Sequence, residues 1–201
     1  MPDAPDVSLF TRYVLETPWP AFAILLAVGA GLIWSGMREG LLNRVKAGGA
    51  LAAVAACVLL AGVFVVTSGE RARAVTRSMV QAAAGGDAVG AIAYFAPEAA
   101  FTVGSPLNPG LDFDFIQNQL IRLTERYKID SNSITMLRGF SESSDSAVVH
   151  VACFTEVNGF PYPTVSRWVV RVRKQSDGEW KIVHLTCVAI NDQTPPLDGL
   201  R

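Results

Sequence analysis

The sequence predicts an α+β protein in two parts: two N-terminal transmembrane helices, then a domain in which helices precede a mostly antiparallel sheet. Three observations carry this. Two charge-free apolar runs, 17–37 and 47–69, lie near the N-terminus. Apolar residues recur at helical spacing in 70–84 and 112–127. From Ser131 onward, runs rich in Val, Ile and Trp alternate with turn residues.

Residues 1–16 form a short polar tail with Asp3, Asp6 and Glu16 against Arg12. This is the wrong charge for the basic start of a cleavable signal peptide, so the first span is expected to stay. Each apolar run holds roughly 20 residues, which at about 1.5 Å per residue matches a hydrocarbon core of about 30 Å. Neither shows the polar stripe of a helix in a soluble bundle. Trp19 and Trp34 sit near the ends of the first span, where indoles favour headgroups. Gly48, Ala52 and Ala56 repeat every four residues and would admit a close helix partner, most simply the first span. Residues 38–46 form the loop between the spans, with Arg38, Arg44 and Lys46 against Glu39. That excess places the loop in the cytoplasm and the following domain on the other side; Arg71, Arg73 and Arg77 after the second span pull the opposite way.

The domain itself is expected over 70–191, with 192–201 as a tail. Ala72, Val75, Met79, Val80 and Ala83 give its first helix an apolar stripe. Gly85 and Gly86 stop that helix, and Asp87 is a natural N-cap for a second over 88–95. A short strand is expected over 100–103, then a Pro/Gly-rich passage, then the helix over 112–127. Strands follow over 134–140 and 147–157. The last feature is a long hairpin over 167–191, turning at Ser176-Asp177-Gly178.

Strict alternation along this hairpin puts Trp168, Val170 and Val172 on one face. It likewise groups Trp180, Ile182, His184, Thr186, Val188 and Ile190, opposite Lys181, Val183, Leu185, Cys187 and Ala189. The strand over 147–157 is apolar on both faces, which a one-sided sheet would not be. A second copy is the simplest cover for the outer face.

Two stretches carry a resemblance. The run AAGGDAVGAIAYFAPEAAF over 83–101 and DGEWKIVH over 177–184, in that order and spacing, resemble the nuclear transport factor 2-like superfamily. The nearest flavour is its SnoaL-like and ketosteroid-isomerase-like branch, over residues 70–191 only. The resemblance implies a cone-shaped domain: a curved, mostly antiparallel sheet wraps helices and leaves a pocket at its open end. It also implies pairing of copies through the outer sheet face. Enzymes of the family place an acid, His or Tyr inside the cone to move a proton.

On that reading the pocket is lined by Tyr94, Trp168, Val170, Trp180, Ile182 and His184, with His184 the candidate catalytic acid/base. No Asp or Glu falls inside the apolar part of a strand, which counts against an enzyme. His150 sits beside Val148 and Ala152 with its face open, and Asp112 and Asp114 read as caps. Arg167, Arg171 and Arg173 share a strand face, with Lys181 on the next, and read as a solvated or dimer-rim face. The formal charge of −1 argues against nucleic acid. Cys57, Cys153 and Cys187 lack metal spacing, and no metal or cofactor is expected. Three functions remain: a membrane-anchored, non-catalytic ligand-binding or assembly domain, a membrane-tethered lyase or isomerase acting on a small apolar substrate, or spans that oligomerise with the domain only setting their spacing.

Overall fold

The computed structural model describes residues 19–64 and 66–196, so the tail over 1–16, the first two residues of the expected first span and residues 197–201 of the expected C-terminal tail lie outside the described residues. The chain forms two compact units, a helical hairpin and an α+β domain.

The hairpin consists of α1 (Trp19–Glu39) and α2 (Leu42–Phe64), both long and apolar enough to cross a membrane. Their bounds differ from the apolar runs. Only Gly40 and Leu41 separate the helices: Gly40 takes φ 67°, and the Leu41 N–H donates to Gly36 O, a glycine-dependent helix stop. Residues 42–46, expected in a loop, instead extend α2. The other end of α2 stops at Phe64, so Ser68 and Gly69 belong to the next helix.

The two backbones touch. A Cβ on Gly48 would lie 2.6 Å from Gly29 O, and one on Gly36 would lie 2.9 Å from Val45 N. Gly48 and Ala52 are at the contact as expected, but the next member is the fully buried Ala55, and Ala56 is exposed. A helix repeats every 3.6 residues, so a strict four-residue stripe drifts off the seam.

The second unit runs α3 (Ser68–Ala84), α4 (Ala88–Ile92), β1 (Phe95–Val103), α5 (Phe113–Arg126), β2 (Ile129–Ser141), β3 (Ser146–Val157), β4 (Thr164–Lys174) and β5 (Trp180–Ile190). Gly86 at φ 80° follows α3. Asp87 caps α4 by accepting from Gly90 N, and Asp112 caps α5 by accepting from Phe115 N. The sheet has the order β1-β5-β4-β3-β2, antiparallel except where β1 runs parallel to β5. β1 is longer than expected and takes in Pro97, which an edge strand tolerates at an irregularity between Phe95 and Ala100.

Helices α3 and α5 pack on one face of the sheet, called inner here. Ala72, Met79 and Ile116 meet Val149, Val151, Val170, Val172, Ile182 and Cys187, which form the best-buried part of the core. α3 is held close at its start. Ser141 Oγ accepts from Gly69 N at 3.0 Å, and Ser68 Oγ donates to Ser143 O at 2.7 Å. A Cβ on Gly139 would sit 2.3 Å from Gly69 O, so helix and strand meet backbone to backbone.

Replacing Gly139→Val is therefore expected to lower stability by about 1–3 kcal/mol through overpacking. Urea unfolding followed by near-ultraviolet circular dichroism checks it; an unchanged midpoint would show that this approach tolerates a side chain.

Candidate functional site

Face assignment along β5 departs from strict alternation at two places. Lys181 pairs with Arg173 and Ile182 with Val172, but His184 pairs with Arg171, leaving Val183 as an extra residue. Cys187 pairs with Trp168 and Ala189 with Arg167, leaving Val188 as a second one. Each bulge shifts which residues point inward. Trp180, Ile182, Leu185, Cys187 and Ile190 belong with the inner core, whereas His184 and Thr186 belong to the outer face.

This corrects the expected pocket. Val170 and Ile182 are fully buried, and Tyr94, Trp168 and Trp180 pack against the same core, so these five do share the inner side. His184 does not join them. Its strand neighbours are Arg171 on β4 and Ala100 on β1. The Leu185 and Cys187 side chains, expected outside, are inside.

On the outer face His184 Nε2 lies 2.9 Å from Thr102 Oγ1, which lies 2.8 Å from Thr186 Oγ1. Both threonines are fully buried, so this three-member chain fastens the parallel β1–β5 seam. His150 is on the same face, paired in register with Arg138 and Val169. It is 6% exposed and meets Phe140 edge-on at 5.1 Å between ring centroids. Burial holds both imidazoles below their ordinary value, helped by Arg138 beside His150 and by Arg171 beside His184.

Arg167, Arg171 and Arg173 do share this face with Lys181. Their charges are largely met locally: Arg167 pairs with Asp192, Arg171 Nη2 reaches Glu142 Oε1 at 3.1 Å, and Lys181 pairs with Glu179. Cys153 and Cys187 are free and buried; burial raises both thiols, Cys187 to about 12, which removes them as nucleophiles near neutral pH. Among the described residues no group of three or more His, Cys, Asp or Glu could hold a metal.

A cleft of about 520 Å³ lies between the end of α3 and the start of β2. Arg77, Gln81, Asp130, Ser131 and Asn132 give it a polar rim over Ile129, Ile134 and Leu137. None of the expected pocket residues lines it. Its parts come from segments about fifty residues apart, and neither segment carries a local motif that announces the other.

No family model matches the chain, and no curated protein does. Solved structures do match. A ketosteroid isomerase-like protein from Erwinia carotovora atroseptica aligns at 17% identity, over 61% of this chain and 97% of its own, with a TM-score of 0.49. An NTF2-like protein from Pseudomonas putida aligns at 16% identity, over 64% and 88%, also at 0.49. A putative scytalone dehydratase from Novosphingobium aromaticivorans gives 12% identity, over 63% and 87%, at 0.49. The five-stranded, mostly antiparallel sheet with helices on its inner face has the α+β architecture expected for this part of the chain.

The histidines set a pH dependence. Their folded values lie below the ordinary 6.5, so the folded state favours the neutral rings. The unfolded chain takes up protons first as pH falls. Stability from this source is complete above about 6.5 and declines as pH drops through 6.5 toward the folded values. Urea midpoints measured between pH 8 and 5 should fall on the acid side, and less so in a His150→Gln, His184→Gln variant.

Proposed function

We propose that the chain is a membrane-anchored, non-catalytic assembly module: α1 and α2 hold it in a bilayer, and the α+β domain pairs with a second copy through its outer sheet face. The observation that carries this is the character of that face. Met136, Phe140, Val148, Ala152, Phe154, Val165 and Val169 occupy it by register, and among the described residues the helices of the domain pack on the inner side. Phenylalanine, methionine and arginine together are the residue types enriched where proteins meet.

Val165 is exposed and Met136, Phe140 and Phe154 are half-buried, whereas Val148, Ala152 and Val169 between them are already buried in the single chain, so the first four are the side chains left to meet a partner. Two of the four arginines on the face, Arg167 and Arg171, are neutralised within the same copy, which lessens repulsion where the patch meets itself across a two-fold axis.

A non-catalytic role is supported by the packing of Tyr94, Trp168 and Trp180 against the inner core that fully buries Val170 and Ile182. A lyase or isomerase reading keeps one observation, the Thr102 hydroxyl beside His184 Nε2, but would have to run its chemistry on the outer face. A small ligand would suit the cleft between α3 and β2 better than the side of the sheet that bears His184.

Light scattering of the full chain in detergent should give a protein mass near twice the 21.5 kDa of one chain. A Met136→Glu, Val165→Glu variant is expected to fall to a single chain. A dimer that survives these changes would assign pairing to the helices, and a monomeric parent would end the proposal.

In this proposal the helix turn faces the cytoplasm and the domain the other side, a reading supported by the excess of Arg38, Arg44 and Lys46 over Glu39 around the turn. A cysteine in place of the exposed Leu107 is expected to react with a membrane-impermeant maleimide in intact cells. Labelling only after lysis would reverse the orientation.

A further inference from the structure

We propose that the paired outer faces separate on acidification, with His150 and His184 as the groups that take up the protons. This rests on the pairing proposed above. The sequence contains two histidines, and both lie on this one sheet face, two strands apart.

The surroundings of each ring are cationic. Around His150, β2 supplies Arg138 and Phe140, β4 supplies Val169 in register, and Arg167 and Arg171 flank Val169 on the same face. Around His184, β4 supplies Arg171 and β1 supplies Thr102. The acids within reach are already engaged: Glu142 by Arg171, Asp192 by Arg167, Glu179 by Lys181. With Arg138, Arg173, these three pairs and Glu156, which accepts from Ser131 Oγ, the described face holds five cations against four acids, a formal +1 per copy near neutral pH. Protonating both rings raises it to +3.

In a two-fold contact the same patch lies on both sides, so every added proton is met by its own duplicate. Like charges brought together out of water repel strongly, and among the described residues the acids beside the two rings are already paired with Arg167, Arg171 and Lys181. The hydroxyl chain adds a local term. When Nε2 accepts, Thr186 can donate to Thr102 and Thr102 to His184; once Nε2 carries a proton it must donate to Thr102, and the Thr102 proton loses the imidazole as its acceptor. One of the two fully buried hydroxyls, Thr102 or Thr186, then needs a new acceptor. The lowered values of both rings put the change below pH 6.5.

The experiment is sedimentation velocity on the full chain in detergent at pH 7.5 and pH 5.0, with a His150→Gln, His184→Gln variant alongside. The parent is expected to be dimeric at pH 7.5 and to weaken at least tenfold in dissociation constant at pH 5.0. The variant should remain dimeric at both. A parent equally dimeric at both values overturns the switch and leaves pairing standing. A parent monomeric at pH 7.5 overturns both. Equal loss in parent and variant assigns the effect to other groups and also overturns the switch. Should the double variant lose its circular dichroism, the single variants His150→Gln and His184→Gln are the substitutes: each is expected to weaken less than the parent at pH 5.0, and weakening equal to the parent's in both counts against the proposal.

Discussion

Between Ile182 and His184, β5 carries one residue more than the strand it pairs with. The consequences run through the whole domain. Ile182 stays inside against Val172, while the next polar residue, His184, is delivered to the outer side beside Arg171. Leu185 and Cys187 then return to the core, which keeps the inner face apolar along the length of the strand. Without the bulge, an imidazole and a threonine hydroxyl would face the core in place of those two side chains. The extra residue thus sorts the strand's polar groups from its apolar ones, and the chemistry available on each side of the sheet follows from that sorting.

Elements fixed by local chemistry were legible in the sequence. Gly85-Gly86-Asp87 stops one helix and caps the next through contacts within three residues, so its outcome needs no tertiary context. The same holds for Asp112 at the start of α5 and for the Gly178 turn. The two apolar helices followed from composition alone, although the reversal tightened to Gly40 and Leu41 because one residue in the left-handed region suffices to turn the chain.

What escaped is what depends on a partner strand. A bulge is invisible in a single strand, because strict alternation is the default and the sequence WKIVHLTCVAI satisfies it on paper. Register with β4 and β1 decides against it, since alternation would bury His184 and expose Leu185. The cleft between α3 and β2 escaped for the related reason that Arg77 and Asn132 become neighbours only in the folded chain. Five of the six expected pocket residues were nonetheless placed on the correct side, because Trp168, Val170, Trp180 and Ile182 precede or avoid the slip and Tyr94 leads into β1.

The parallel seam between β1 and β5 has a kinetic meaning. Ala100 sits against His184, so the first strand of the sheet finds its strand partner in the last one synthesised. At about 5–20 residues per second, the interval between them is on the order of ten seconds of translation. During that time Phe95, Phe101 and Val103 belong to a strand without its neighbour, and the closing step joins segments far apart in sequence. A chain that stalls before β5 would present an open apolar edge, the natural target for a chaperone or a quality-control protease.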